Sequence, residues 1–425
     1  MSGKVDFSAI GRGRRGVLGF LAMLGLLPWS TCSRAGVDLP RYPRVLGVDY
    51  KAHQYGEEAV RERLARFEVL VLGFWRGYER GRLRMLVDDL RRRNPQILIG
   101  QYALLNEVQG QAGPNEANRD MVDKLDREGW WLKNRRGDRV QWTSRYGHYE
   151  VDLTSWARPD KEGLRWPEWK VRRDVREVFT LWPRLDFVFL DNVFERPRVS
   201  ALWRRDAGEE DGKSREVAAA ARQGYVAYCE QLRKLMPGMR VLANVDHDLS
   251  APEYDGIFDG AFLEELLGRP SSMETWRGWA AIMERYRTVA RHVKDPRFVV
   301  FHAVGGSTDY RLMRYGLASS LMGDGLFAYN SDDGPGTPWF DEYDANLGQP
   351  LSDARAATGS TAWMREFSNG MAVVNPGPAP AVVALPRGLQ RLRGRQDPAF
   401  NDGSLVRELR LLPRDGALLL KAARG

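Results

Sequence analysis

The chain has few of the residues that bind metals or form disulfide bonds. Its 425 residues include two cysteines and five histidines, and no two histidines stand in a His-x-His or His-x-x-x-His pair. Two cysteines cannot build a disulfide framework, and scattered histidines do not predict a zinc site. We therefore predict no metal and no cofactor. One alternative stays open, because the stretch Asp246-His247-Asp248 sets an imidazole between two carboxylates, as in a metal-dependent hydrolase.

Signatures of several other protein classes are also missing. There is no Gly-x-Ser-x-Gly nucleophile elbow, and no clear glycine-rich phosphate loop stands between a strand and a helix. An apolar stretch at residues 17–27 is shorter than the roughly 20 residues that a membrane-spanning helix needs. The formal net charge is +8, but no recognised nucleic-acid-binding module accompanies it, so we predict no nucleic-acid partner.

The first 35 residues predict a signal peptide. Three arginines between positions 12 and 15 precede the apolar stretch, and residues 33–35 (Ser-Arg-Ala) suit cleavage after Ala35. We expect export to the periplasm or the outside of the cell; the paired arginines leave the twin-arginine route open. Cys32 offers the alternative of a lipid anchor as the protein's contact with a membrane. Removal of residues 1–35 takes away five basic residues and one acidic residue, which lowers the formal charge from +8 to +4 and leaves Cys229 alone.

Eight short apolar runs between residues 45 and 330 predict buried strands. They lie at residues 45–50, 69–75, 97–102, 187–192, 241–246, 261–265, 298–302 and 326–330. Runs without in–out alternation are typical of parallel strands that are covered on both faces. Helical periodicity fills the gaps, at residues 57–67, 81–93, 166–182, 214–236, 272–293 and 309–322. The sequence therefore predicts an α/β fold, a (β/α)₈ TIM barrel, with functional groups at the C-terminal ends of its strands.

Beyond the eighth run the composition changes to short strands and turns. Asn369-Gly370, between two apolar runs, is a strong hairpin signal. We predict a catalytic barrel over residues 40–355, followed by a small C-terminal antiparallel β-sandwich domain over residues 360–425. The connection at 103–165 is unusually long, so we expect it to carry a helix and a small hairpin on the catalytic face.

Asp191 and Glu264 are the predicted catalytic residues. Asp191 ends the fourth apolar run, and Glu264 ends the sixth. Two carboxyl groups that converge across a barrel mouth can hydrolyse a glycosidic bond, because one can be ionised while the other holds a proton. Glu265 points to the opposite side of its strand, where the alternative is an ion pair with an arginine of the adjacent helix.

The other strand ends offer groups that bind sugar hydroxyls. The predicted substrate-binding residues are Asp49, Trp75, Tyr102, Asn192, Asn244, Asp246, His302 and Asn330. Aromatic rings stack on sugar rings, and the candidate stacking platforms are Trp75, Trp130, Trp142 and Trp339. We expect at least two of these four tryptophans to be packed in the core instead.

Three stretches resemble the glycosyl-hydrolase-like family fifteen of bacteria. They are residues 187–193 (Phe-Val-Phe-Leu-Asp-Asn-Val), 260–264 (Gly-Ala-Phe-Leu-Glu) and 329–350, of which 339–350 is the most specific part. The resemblance covers most of residues 40–420. It implies a catalytic barrel distantly similar to glycoside hydrolase family 114, in which Asp191 matches the nucleophile or base and Glu264 the acid.

Taken together, these features predict an exported, cofactor-free glycoside hydrolase that acts on a polysaccharide or oligosaccharide. Two alternatives stay open: a non-catalytic carbohydrate-binding pseudoenzyme, and a metal-dependent polysaccharide deacetylase or hydrolase built around Asp246-His247-Asp248. The identity and linkage of the sugar, the stereochemical course and the oligomeric state are left open by the sequence.

Overall fold

The structure is a computed structural model of the chain. It describes residues 42–50, 54–73, 80–110, 118–180, 185–204, 208–211, 214–245, 248–294, 298–333 and 336–422. The predicted signal peptide, Cys32, Trp75, Asp246 and His247 lie outside the described residues.

Eight parallel strands form the central sheet, and each pairs with the next in chain order. They are β1 (Leu46–Asp49), β2 (Val69–Leu72), β3 (Leu98–Leu104), β4 (Phe187–Asp191), β5 (Arg240–Asn244), β6 (Gly260–Leu267), β7 (Phe298–Gly305) and β8 (Leu326–Ser331). A parallel bridge between Val45 and Phe327 closes the ring, and the Phe327 N–H donates to the carbonyl oxygen of Arg44 at 2.9 Å. The predicted eight-stranded barrel is confirmed.

Helices cover the outside of the barrel. They are α1 (Glu58–Leu64), α2 (Arg80–Arg93), α3 (Arg119–Glu128), α4 (Trp166–Asp174), α5 (Arg215–Leu235), α6 (Met273–Arg277), α7 (Trp279–Val289) and α8 (Tyr310–Ser320). The single helix predicted over residues 272–293 is wrong: Gly278, with φ of 80°, separates α6 from α7. Glycine tolerates this left-handed region because it has no Cβ.

The barrel interior is filled by alternate residues of each strand. The buried cluster inside the barrel consists of Leu46, Val48, Val69, Val71, Phe187, Phe189, Leu242, Phe262, Phe298, Val300, Leu326 and Ala328. Side chains two residues apart lie on the same face of a strand. Counting on in steps of two from these interior residues, towards the C-terminal end of each strand, therefore identifies the residues that face the barrel mouth. Those positions are 50, 102, 191, 244, 264, 302 and 330.

Two short antiparallel ribbons lie in the connections that follow β3 and β4. Glu107–Gln109 pairs with His148–Glu150, and Ser200–Arg204 pairs with Gly208–Asp211. α3 confirms the helix predicted in the long connection, and the local antiparallel bridge between Lys133 and Arg139 corresponds to the small hairpin; the first ribbon instead joins the beginning of the connection to its later part. Connections that leave the C-terminal ends of barrel strands lie on the face where barrel enzymes carry their active sites.

The C-terminal residues form an antiparallel β domain, as predicted, and its strands all belong to one sheet. They are β9 (Arg355–Ala356), β10 (Trp363–Phe367), β11 (Gly370–Asn375), β12 (Ala381–Arg391), β13 (Leu405–Leu411) and β14 (Asp415–Lys421), in the spatial order β9-β10-β11-β14-β12-β13. The domain is joined to α8 by a buried ion pair, in which Arg314 Nε lies 3.2 Å from an Asp415 carboxylate oxygen.

Two further sequence expectations concern membranes and thiols. In the part of the chain that the structure describes, none of the helices is both long and apolar enough to cross a membrane. Cys229 is fully buried on α5, as its helical pattern predicts, and burial raises the pKa of its thiol to about 12.

Candidate active site

Asp191 and Glu264 face the barrel mouth from β4 and β6, and one amide group joins them. Asn244 ends β5, which lies between those two strands. Its Nδ2 donates to Asp191 Oδ1 at 2.7 Å and to Glu264 Oε2 at 2.8 Å. Because these two distances share the nitrogen atom, the two carboxylate oxygens cannot be more than about 5.5 Å apart, which is shorter than the ~6.5–9.5 Å spacing of inverting glycosidases.

A β-bulge in β6 directs Glu264 and Glu265 to different sides. The pairing of β6 with β7 shifts register between Leu263 and Leu267, and Glu265 adopts a φ of 48°. The Glu265 carboxylate forms an ion pair with Arg269, with 3.0 Å between Oε1 and Nε. Bulges redirect side chains in this way. The ion pair considered for Glu265 is therefore present, with an arginine of the loop after β6 rather than of a helix.

Asp191 is held on both of its carboxylate oxygens. The Tyr102 hydroxyl donates to Oδ2, opposite the Asn244 bond to Oδ1. Burial raises the pKa of the Asp191 carboxyl, and the hydrogen bonds from Tyr102 and Asn244 act in the opposite direction. Tyr102, predicted to bind substrate, thus contacts the catalytic candidate directly.

Tyr50 belongs to the site although it is absent from the predicted residues. Tyr50 is 42% exposed as a residue, and its ring packs edge-on against Tyr102, with 5.1 Å between ring centroids. Desolvation of its hydroxyl, followed by the nearby charges of Asp191 and Glu264, raises the pKa of Tyr50 well above its usual value. The signal was available in the sequence, because Tyr50 continues the inward series of Leu46 and Val48.

The polar groups of His302 and Asn330 form hydrogen bonds with other groups of the protein. The Glu265 N–H donates to His302 Nδ1 at 3.0 Å, so the ring proton is on Nε2, which lies 3.0 Å from Asn330 Oδ1. Asn330 Nδ2 in turn donates to the carbonyl oxygens of Val48 and Gly336, at 3.2 and 3.0 Å. Burial lowers the pKa of His302 to about 4, so its ring is neutral at neutral pH. Both residues, predicted to bind substrate, support the bulge beside Glu264.

Asp49 does not face the mouth. It is buried at the end of β1, and its carboxylate points to the helix layer, where it lies 3.8 Å from Arg63 of α1. Leu46 and Val48 point into the barrel, so Asp49, which follows Val48 directly, lies on the opposite face of the strand. The placement of Asp49 therefore does not support the prediction that it binds substrate.

Of the candidate stacking platforms in the described residues, one is buried, one is half-buried and one is exposed. Trp130 is buried, and its Nε1 donates to the carbonyl oxygen of Arg158 at 2.8 Å. Trp339 packs edge-on against Phe67 and Tyr343. Trp142 is 37% exposed. Trp75 lies outside the described residues.

Glu107 links the long connection to the turn that follows Asp191. Its Oε2 accepts a hydrogen bond from Trp142 Nε1 at 2.9 Å, and its Oε1 accepts one from Asn192 Nδ2 at 3.1 Å. Asn192, the residue after Asp191, has a φ of 57°, which asparagine tolerates better than most residues. Glu150 stands opposite Glu107 in the ribbon, and burial together with the Glu107 charge raises the pKa of Glu150 to about 8. No sequence signal pointed to Glu107.

The described residues contain no cluster of metal ligands that would support the metal-dependent alternative. There, no three histidine, cysteine, aspartate or glutamate side chains are grouped so that they could hold a metal ion. Asp248 forms an ion pair with Arg285 at 2.8 Å and accepts the Ser250 N–H at 2.9 Å. Asp246 and His247 lie outside the described residues.

Comparison with known families adds an independent finding. Residues 91–371 match the hypothetical glycosyl hydrolase family 15, a span that contains Asp191, Asn244 and Glu264. The chain belongs to hypothetical glycosyl hydrolase family 15. Membership of family 15 confirms the resemblance predicted from the sequence. It supports a glycosidase at a general level and implies a carbohydrate substrate.

Several solved structures are similar to this family 15 chain. The glycoside hydrolase domain of PelA from Pseudomonas aeruginosa is 15% identical with a TM-score of 0.44, over 69% of this chain and 96% of that one. An α-amylase from Geobacillus thermoleovorans, complexed with acarbose, is 11% identical with a TM-score of 0.48, over 90% and 99%. The GH36 α-galactosidase AgaA from Geobacillus stearothermophilus is 12% identical with a TM-score of 0.46, over 91% and 57%. The search of curated proteins gives no match.

The buried His302 predicts a pH dependence of stability. Its pKa is about 4 in the folded protein and about 6.5 in an unfolded chain, so unfolding takes up a proton between these values. Stability is therefore complete above about pH 6.5 and falls as the pH drops towards 4. We expect the wild type to lose about 3 kcal/mol more unfolding free energy than His302→Gln between pH 7 and pH 4. Urea denaturation at a series of pH values measures this, with His292→Gln, on the surface, as the control that keeps the wild-type slope. Parallel curves for the wild type and His302→Gln would contradict the prediction.

Proposed function

We propose that this family 15 protein hydrolyses glycosidic bonds of a polysaccharide with the Asp191 and Glu264 carboxyl groups. The observation that carries the proposal is the Asn244 amide, which donates to both carboxylates at the barrel mouth. Membership of the family supports the carbohydrate substrate. The position supports catalysis, because barrel enzymes place their reacting groups at the C-terminal ends of the strands.

Burial distinguishes the roles of the two groups. Asp191 is half-buried, and desolvation raises the pKa of its carboxyl, which suits the group that holds a proton for the leaving oxygen. Glu264 is exposed and is therefore the more accessible of the two groups to a bound sugar, which suits the nucleophile. We therefore assign Asp191 as the general acid and Glu264 as the nucleophile, the reverse of the order that the family resemblance implies.

The short spacing favours a double displacement. Glu264 attacks the anomeric carbon while the glycosidic C–O bond breaks, and the Asp191 proton passes to the departing oxygen. Asp191 then removes a proton from water, whose oxygen attacks the same carbon and releases Glu264. Inverting enzymes need ~6.5–9.5 Å between the carboxyl groups to admit that water at the outset. The exposed ring of Tyr50, beside both carboxylates, offers a surface for the sugar ring.

Removal of either carboxyl group tests the proposal. We expect Asp191→Asn and Glu264→Gln each to lower the release of reducing ends from a polysaccharide panel by roughly a hundredfold or more, with an unchanged circular dichroism spectrum. Glu265→Gln is the matched control, because that carboxylate pairs with Arg269, and we expect it to keep activity within tenfold of the wild type. Full activity in Asp191→Asn would remove Asp191 from the mechanism. Glycan binding by the wild type without any release of reducing ends would favour the pseudoenzyme alternative.

The leaving group of the substrate separates the two roles. On a dinitrophenyl glycoside of the sugar that the panel identifies, departure needs no proton, so Asp191→Asn should lose far less activity than on the polysaccharide. Glu264→Gln should lose activity on both substrates, because it lacks the nucleophile. Steady-state kinetics on the two substrates measures this. A selective recovery of Glu264→Gln instead would assign the roles the other way round.

A further inference from the structure

Two aromatic rings beside the candidate site are exposed to solvent. Trp142 and Tyr146 are 37% and 49% exposed, and their ring centroids are 6.2 Å apart. Both lie in the turn that precedes the ribbon strand His148–Glu150. Large exposed aromatic side chains are costly to leave in water, and sugar rings are among the ligands that stack on them.

The buried carboxylate of Glu107 connects Trp142 to the turn that follows Asp191. Glu107 is 4% exposed and accepts hydrogen bonds from Trp142 Nε1 and from Asn192 Nδ2, at 2.9 and 3.1 Å. The Asn192 carbonyl oxygen also accepts the Tyr225 hydroxyl at 2.7 Å, which fixes the turn after Asp191. Two side chains, those of Glu107 and Asn192, therefore link the Trp142 indole to the turn that follows Asp191 and hold it in place.

The edge of this aromatic pair is basic. The Arg198 guanidinium lies 5.5 Å from the Trp142 ring centroid, and that of Arg145 lies 5.3 Å from the Tyr146 ring centroid. Both arginines are exposed. Residues 133–148 hold five lysine or arginine residues and one aspartate. Guanidinium groups bind carboxylates and sulfates through charge-assisted, bidentate hydrogen bonds.

We propose that Trp142 and Tyr146 form a sugar-stacking subsite that is positioned by Glu107, and that Arg145 and Arg198 make it a subsite for an anionic sugar. The substrate class is then an acidic polysaccharide, one that carries carboxylate groups on its sugar rings. This inference rests on the proposed function for its biological meaning, but the subsite itself is a binding site that can be tested without catalysis.

The test measures binding to the inactive Glu264→Gln protein by isothermal titration calorimetry. The probes are polygalacturonate, alginate and hyaluronate oligosaccharides, each beside the same oligosaccharide with its carboxylates reduced to neutral alcohols, and a chitosan oligosaccharide. We expect at least one acidic probe to bind at least about tenfold more tightly than its reduced partner, with an affinity that falls as salt rises. Trp142→Ala should weaken that binding by at least about tenfold and Trp142→Phe by less, because phenylalanine keeps a ring but loses the bond to Glu107.

Arginine variants separate recognition from overall charge. Arg145→Gln and Arg198→Gln should each weaken binding of the acidic probe severalfold and leave its reduced partner unaffected. Arg92→Gln removes the same charge from the last turn of α2, at the opposite end of the barrel, and should change neither.

Three results would overturn the subsite: no binding of any acidic probe, equal binding of both members of each pair, or tighter binding of chitosan. Because the protein used is inactive, these results are independent of the proposed hydrolysis. Charge-selective binding combined with a wild type that cleaves nothing would instead reject the proposed function and leave the subsite in place.

Discussion

The side-chain amide of Asn244 is the interaction on which the geometry of the site depends. Its two N–H groups are used by two carboxylates from the strands on either side, at 2.7 and 2.8 Å. An aspartate in this position would put a third carboxyl group beside Asp191 and Glu264, and an alanine would leave the two carboxylates to repel each other. The position is also fixed in the backbone, because the Asn244 carbonyl oxygen accepts the Val193 N–H at 2.8 Å.

The barrel makes this arrangement possible through the alternation of its side chains. Inward positions of β4, β5 and β6 end in Asp191, Asn244 and Glu264 because each continues the series that fills the interior with Phe189, Leu242 and Phe262. The bulge at Glu265 then divides the Glu264-Glu265 pair between the mouth and Arg269. His302 supports that bulge from β7 by accepting the Glu265 N–H, which requires a neutral ring.

Much of the fold was predictable because each strand is a short apolar run and each helix has a clear apolar period. To predict which strand-end residues face the barrel mouth, one further step was needed: counting in steps of two along each strand from the residues that fill the barrel interior. That count identifies Tyr50, and not Asp49, as the residue of β1 that faces the barrel mouth. The link through Glu107 was beyond prediction, because it depends on the pairing of Glu107 with Glu150, 43 positions along the chain. The roles of His302 and Asn330 depend likewise on contacts between separate strands, whereas residue type alone suggested that they bind substrate.

The stereochemistry of the first-formed product tests the central claim most directly, because it reports the spacing that Asn244 imposes on the two carboxyl groups. Proton NMR of the reaction, recorded before mutarotation equilibrates the new reducing end, distinguishes the two anomers. The account predicts a first product with the same anomeric configuration as the bond that was cleaved. A first product of the opposite configuration would contradict it, because a water molecule would then have to fit between Asp191 and Glu264 at the outset.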